Sequence, residues 1–66
     1  MTNYQMIHSL VCQGIATANM KEQHVTTAVM NSAMANTVKS ESGLDTIEGL
    51  QVKIMDALPD GKIILE

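Results

Sequence analysis

The sequence predicts an all-α fold of two or three antiparallel helices with a short extended apolar tail. The chain has 66 residues, 45% of them hydrophobic and 17% charged, which is enough for one small domain over residues 1–66 and too few for two. Apolar residues recur at spacings of three and four, the period of a helix face. Loop-forming residues stand together at 40–45 and 59–61, and these two points separate the predicted elements.

The first helix is predicted from about residue 3 to 17. Thr2 and Gln5 have the spacing of a capping box, which marks a helix start. Gly14 lies on the apolar face and costs roughly 1 kcal/mol of helix propensity, so it indicates either a bend or the close approach of a second helix. That face consists of Ile7, Leu10, Val11, Ile15 and Ala18.

The second helix is predicted from about residue 20 to 40. Asn19 and Glu22 form another capping box, which favours a new start near Met20; one continuous helix through Asn19 is the alternative. This stretch has no glycine or proline and is apolar on two sides, as in helices packed between neighbours. One side carries the small and β-branched residues Val25, Ala28, Val29, Ser32, Ala33 and Ala35, and the other carries Met30, Met34 and Val38.

The third helix is predicted from about residue 46 to 58. Gly43 is suited to ending the helix before it. Asp45 and Glu48 have capping-box spacing, and Pro59 begins a turn that stops the helix. Its apolar face would contain Ile47, Leu50, Ile54, Ala57 and Leu58.

Residues 62–66, KIILE, read as a short extended segment. Three outcomes are open for this tail: it lies across the helices, it pairs with another copy or with a partner's sheet edge, or it continues as a helical turn. The common core is predicted to contain Ile7, Leu10, Val11, Ile15, Val25, Val29, Met30, Met34, Leu50, Ile54 and Leu58.

Charge and cysteine content exclude several classes of function. The formal net charge is −3, with four lysines and no arginine, so nucleic acid is not an expected partner. Residues 4–18 are too short and too polar to span a bilayer and lack a basic segment in front. Cys12 is the only cysteine, so no internal disulfide can form and a buried thiol in a reducing, cytoplasmic setting is expected.

The sequence contains few residues that could bind a metal or take part in catalysis. His8 and Cys12 stand four apart on the first helix, a spacing that suits two metal ligands. A third ligand would have to come from His24, Glu22 or another chain, so no metal and no cofactor are predicted. Cys12 with His8 as base lacks a third group to hold the base, so no catalytic residue is predicted and the protein is not expected to be an enzyme.

The predicted second helix has more apolar surface than so small a chain can bury, which favours association with another copy or with a partner protein. The leading hypothesis is an interaction module that acts as a homo-oligomer or self-assembling subunit. The alternative is an adaptor or inhibitor that docks on a larger bacterial or viral protein machine, and a third possibility is a precursor whose tail a processing enzyme recognises. The interface would consist of Ala28, Met30, Ser32, Met34, Ala35, Val38, Ile63, Ile64 and Leu65.

Residues 23–38, QHVTTAVMNSAMANTV, are rich in Ala, Met, Ser, Thr and Asn. In composition this segment resembles the small helical proteins of bacterial motility-associated and R-body-type families. The resemblance covers about a quarter of the chain. It implies a protein that assembles, and it assigns no site residue.

Overall fold

A computed structural model describes residues 3–66 and shows an α+β fold, so the predicted all-α fold is wrong. Two helices lie on one face of a four-stranded mixed sheet. Within the described residues, no helix has the length and apolar character needed to cross a membrane. The elements in chain order are α1 (Tyr4–Met20), β1 (Thr27–Met30), α2 (Ser32–Ser42), β2 (Thr46–Ile47), β3 (Leu50–Ile54) and β4 (Ile64–Leu65).

The strand order across the sheet is β2-β3-β1-β4. β1 is parallel to β3, and the chain between them passes through α2 and β2. β2 and β3 form an antiparallel hairpin, and β4 returns antiparallel to β1 on its other side. Ala28 of β1 therefore stands between Val52 of β3 and Leu65 of β4. The centre of the sheet is built from segments far apart in the sequence.

Helix α1 starts close to the predicted position but ends later. Its N-cap is Asn3, whose side chain accepts a hydrogen bond from the Met6 amide at 2.9 Å; the predicted cap Thr2 lies outside the described residues. The helix runs through Asn19 and ends at Met20, so both predicted alternatives are wrong: no helix begins near Met20, and no continuous helix extends beyond it. It ends with Glu22 in the left-handed region at φ 57° and the Gln23 amide bonded back to the carbonyl of Ala18 at 2.8 Å. This is a Schellman motif, which satisfies the last carbonyls of a helix.

The predicted second helix over residues 20–40 is wrong as one element, since it contains a loop, β1 and α2. Four of the five residues in 25–29 are β-branched, and their stiff side chains suit a strand better than a helix. Asn31 then caps α2 by accepting from the Met34 amide at 2.9 Å. Gly43, at φ 72°, ends α2 as predicted.

The predicted third helix over residues 46–58 is wrong as well. The run Leu50–Ile54 alternates apolar and polar residues with the period of a strand. Ahead of it, Glu48 at φ 51° and Gly49 at φ 80° form a two-residue hairpin loop. Positive φ at both positions is the signature of a type I′ turn, which joins antiparallel strands and cannot begin a helix.

The core lies between the helices and the inner face of the sheet. Because side chains alternate along a strand, Ala28 and Met30 point towards the helices while Val29 points to the outer face. Ala28 and Met30 pack with Ile7 and Val11 of α1 and with residues of α2. Of the predicted core, Ile7, Val11, Val29, Met30, Met34 and Leu50 are buried, Leu10, Ile15, Val25 and Leu58 are half-buried, and Ile54 is 54% exposed.

The connection from β3 to β4 crosses the end of β1. The predicted turn at 59–61 is present: the Lys62 amide donates to the carbonyl of Pro59 at 3.2 Å, and Gly61 has φ 82°. The Asn31 side-chain amide donates to Asp60 Oδ1 at 2.7 Å. The residue that caps α2 therefore also holds this connection in place.

Candidate functional site

Five of the nine residues predicted to form an interface lie inside the core of the chain itself. Ser32 is half-buried in the first turn of α2, where its amide donates to Asp56 Oδ1 at 2.9 Å. Any surface open to a partner must therefore be sought elsewhere. The buried five are Ala28, Met30, Met34, Ala35 and Val38.

The other three predicted interface residues, 63–65, form the edge of the sheet. The tail pairs with β1 of its own chain, so the predicted helical turn is wrong. It also packs on α1 through Leu65, as the predicted clasp would, but it does so as a strand of the sheet. Ile64 lies on the outer face and is 40% exposed. Ile63 and Leu65 point to the inner side, where both are half-buried and pack against the core.

The outward side of β4 presents main-chain hydrogen-bonding groups. Glu66 and Thr27 exchange both of their amide-to-carbonyl bonds, each at 2.9 Å. In an antiparallel ladder such pairs alternate with residues whose N–H and C=O point the other way. The N–H and C=O groups of Ile63 and Leu65 therefore point away from β1, towards the open edge. β4 is an edge strand that can accept one more strand.

A cleft of about 260 Å³ lies on the helix side of this edge, between α1 and β4. Gly14, Val25 and Leu65 are among the residues that line it. A Cβ built on Gly14 would stand 2.7 Å from Leu65 Cδ1, far inside van der Waals contact. Gly14 thus permits the close approach of a strand, whereas the sequence suggested a bend or a second helix.

The opposite edge of the sheet is largely covered. β2 pairs with the first half of β3, and the Val52 amide donates to the carbonyl of Asp45 at 3.1 Å. Beyond it, a cleft of about 350 Å³ is bordered by Leu44 and Ile54, which are 60% and 54% exposed.

A separate cluster of chemically versatile side chains joins α1 to the β2–β3 hairpin. His8 and Cys12 lie one turn apart on α1, with Cys12 Sγ 3.8 Å from His8 Nδ1 and 4.0 Å from Nε2. Glu48 reaches them from the hairpin turn, and its Oε1 lies 2.5 Å from His8 Nε2. One ligand atom from each residue falls within 4.8 Å of the others.

Glu48 is the member that the sequence did not identify. It was assigned to the first turn of a helix, whereas it occupies a left-handed position in a hairpin turn. The alternation of Leu50–Ile54 after a Glu-Gly pair was the available signal for that hairpin. Contact with His8 depends on how the hairpin packs against α1, which no local pattern indicates.

The cluster can hold a proton or a cation between its three groups. Glu48 supplies the third group that His8 lacked as a base for Cys12. A thiol nucleophile also needs a pocket for its substrate, and neither cleft described above is lined by Cys12. The cluster therefore suits ion binding better than covalent catalysis.

Comparison with protein-family models, with curated protein sequences and with solved structures found no match to this chain.

Proposed function

We propose that the protein is a small self-association module, in which the β4 edges of two copies join two four-stranded sheets into one continuous sheet. The observation that carries the proposal is the charge pattern of residues 62–66, in which Lys62 and Glu66 flank the apolar residues that contain the edge strand β4. The predicted adaptor role differs only in the occupant of this edge, which would then be a strand of another protein.

The sequence KIILE is complementary to itself when two copies run antiparallel. In a pair centred on Ile64, Lys62 of each copy stands opposite Glu66 of the other. Ile64 then faces its counterpart across the two-fold axis, and opposite charges in register stabilise the pair. A shift of one residue in either direction loses both charge pairs.

The main-chain directions suit the same register. Ile63 and Leu65 turn their N–H and C=O groups outward, and in this register Ile63 of one copy stands opposite Leu65 of the other. The pair thereby gains about four inter-chain hydrogen bonds, each worth about 0.5–1.5 kcal/mol net. Ile64 is 40% exposed, and its contact with the second copy adds apolar burial.

The other sheet edge offers a poorer match. β2 already occupies Leu50 and Gln51, and Asp45 accepts from Val52. Only the end of β3 from Lys53 onwards remains open, and an antiparallel pair centred on Lys53 would place two lysines opposite each other. This comparison favours β4 as the edge that a second copy uses.

Sedimentation of the purified chain tests the proposal. A short edge-to-edge interface belongs to the small, weak class, so the weight-average mass should rise between about 10 μM and about 1 mM. Ile64→Lys, which sets two positive charges against each other at the two-fold axis, should leave a monomer at every concentration. The matched control is Gln51→Lys, which adds the same charge to the outer face away from the β4 edge and should still dimerise.

Amide exchange provides a second readout that does not depend on a variant. If the β4 edges pair, the amides of Ile63 and Leu65 should gain protection as concentration rises. A wild-type chain that stays monomeric to about 1 mM, or that dimerises with these two amides unchanged, contradicts the proposal.

A further inference from the structure

We propose that His8, Cys12 and Glu48 form a Zn²⁺ site within a single chain, with the fourth coordination position open to solvent. The site lies on α1 and the β2–β3 hairpin turn, away from β4. It is therefore independent of the proposed association through the β4 edge.

The donor set fits zinc. An imidazole nitrogen, a thiolate sulfur and a carboxylate oxygen are the three kinds of protein ligand that zinc takes, and sites with three protein ligands keep one position for water or substrate. Magnesium and calcium prefer oxygen donors only and disfavour a thiolate. His8 and Glu48 side chains are each 43% exposed, so solvent can reach the fourth position.

The geometry needs little rearrangement to coordinate an ion. Zinc with bonds of about 2.0–2.3 Å in tetrahedral geometry separates its N and S ligands by about 3.5 Å and its N and O ligands by about 3.3 Å. The Cys12 Sγ to His8 Nε2 distance is 4.0 Å, and the His8 Nε2 to Glu48 Oε1 distance is 2.5 Å. Side-chain rotation can supply these two changes of less than about 1 Å. The same rotation has to bring Cys12 Sγ and the Glu48 carboxylate together, since the ligand atoms lie as much as 4.8 Å apart in the structure.

Glu48 reaches His8 from the first position of the hairpin turn, where it holds φ 51°. Glu22 holds a similar φ of 57° at the end of α1, so the backbone conformation does not by itself mark a ligand. The proposal rests on the three donor atoms and the distances between them.

In the absence of metal, the same three groups make a simple contact. The Glu48 carboxylate bonds to the His8 ring, and the Cys12 thiol lies beside that ring. Zinc binds a thiolate and a neutral imidazole, so its entry replaces the His8–Glu48 hydrogen bond and releases the Cys12 proton. The metal would link α1 to the hairpin more firmly than this exposed pair does.

Titration with Co²⁺ followed by Zn²⁺ tests the site on the reduced full chain. Cobalt bound to a thiolate gives a charge-transfer absorption that zinc then abolishes by displacement. We expect saturation at one metal per chain, with the absorption absent in Cys12→Ser. His8→Gln and Glu48→Gln should each weaken binding by about tenfold or more, since the loss of a hydrogen-bonding partner of a ligand already costs a metal site that much. The matched control Glu41→Gln removes an exposed carboxylate from α2 and should bind metal as the wild type does.

A further variant guards against misfolding as an explanation. Glu48→Asn suits the left-handed turn position and should keep the fold, as judged by circular dichroism, yet weaken metal binding as Glu48→Gln does. Absence of the thiolate absorption in the wild type, or equal affinity in wild type, Glu48→Gln and Glu48→Asn, would overturn the site. A stoichiometry of one metal per two chains would also overturn it, because the ligands would then come from two copies.

The Ile64→Lys variant distinguishes this proposal from the proposed self-association. It should bind metal as the wild type does even where it abolishes dimer formation, so either proposal can fail without the other.

Discussion

Leu65 occupies the space that a side chain on Gly14 would need, with its Cδ1 2.7 Å from the ideal Cβ position. This contact brings the edge strand β4 directly onto helix α1 and makes a helix-weakening residue part of the packing. Glycine at this position therefore serves the contact between layers at the expense of helix propensity.

We expect Gly14→Ala to raise the melting temperature less in the wild-type chain than in a Leu65→Ala background. The alanine gains about 1 kcal/mol of helix propensity in both chains, but in the wild type the end of the Leu65 side chain must first move away from the new Cβ. A double-mutant cycle measured by thermal unfolding checks this difference; the same effect in both backgrounds would contradict the packing role of Gly14.

The second prediction concerns Asn31, which caps α2 and donates to Asp60. Asn31→Asp keeps an oxygen for the cap but places a carboxylate against Asp60, whose Oδ1 lies 2.7 Å from the Asn31 side-chain nitrogen. We expect a loss of about 1–2 kcal/mol at neutral pH, part of which returns when acid protonates one carboxyl. Chemical denaturation at two pH values measures the loss, and Asn36→Asp on the exposed side of α2 is the control. A loss that does not depend on pH would mean that the Asp60 contact is unimportant.

The third prediction concerns the pH dependence that Asp56 imparts. Hydrogen bonds from the side chain and then the backbone amide of Ser32 lower the pKa of Asp56 below its ordinary value of 3.8. Because the folded pKa is the lower one, the stabilisation is complete above the unfolded pKa and is lost as pH falls through the folded pKa. Melting temperatures measured from about pH 5 downwards should therefore fall more steeply for the wild type than for Asp56→Asn. Parallel curves would show that the Ser32 contact does not depend on the charge.

The fourth prediction uses the charges at the ends of the proposed β4 pair. Lys62→Glu should weaken dimer formation, because each Glu66 then faces a like charge. Lys62→Glu combined with Glu66→Lys restores opposite charges in the same register and should recover much of the association. Sedimentation of the three chains at low salt gives the comparison, since salt screens exposed pairs. Recovery by the double variant is diagnostic of this register; a double variant weaker than Lys62→Glu would exclude it.

The sequence predicted the start of α1, the end of α2 at Gly43 and the turn after Pro59, because each depends on local chemistry. It failed for residues 46–58, since Leu50 and Ile54 are four apart and fit a helix face as well as alternate positions of a strand. The hairpin turn at Glu48 and Gly49 is what rules out a helix. Glutamate is rarely found in the left-handed conformation of such a turn, so the sequence did not indicate one. The strand β1 was missed for the same reason, because Val25 and Val29 were assigned to an apolar face of the predicted second helix.

Of the His8–Cys12–Glu48 cluster, the sequence predicted the proximity of His8 and Cys12 but not that of Glu48. His8 and Cys12 share a helix, so their spacing alone shows that they are neighbours. Glu48 is 40 residues away from His8, and its position depends on β2, β3 and the packing of the hairpin on α1. The interface predicted on the second helix was assigned to side chains that this chain buries itself, because the apolar sides of that segment pack against a sheet that local patterns did not predict.

The strand order has a kinetic consequence. β1, at the centre of the sheet, finds both of its neighbours later in the chain, β3 more than twenty residues on and β4 more than thirty. Closing such long loops precedes the gain from pairing, so folding should be slower than for a helical bundle of this size. Until both neighbouring strands have paired, the edges of the segment Thr27–Met30 are open to strands of other unfolded chains, which leads to aggregation. The yield of refolded protein should therefore depend more on protein concentration than on temperature.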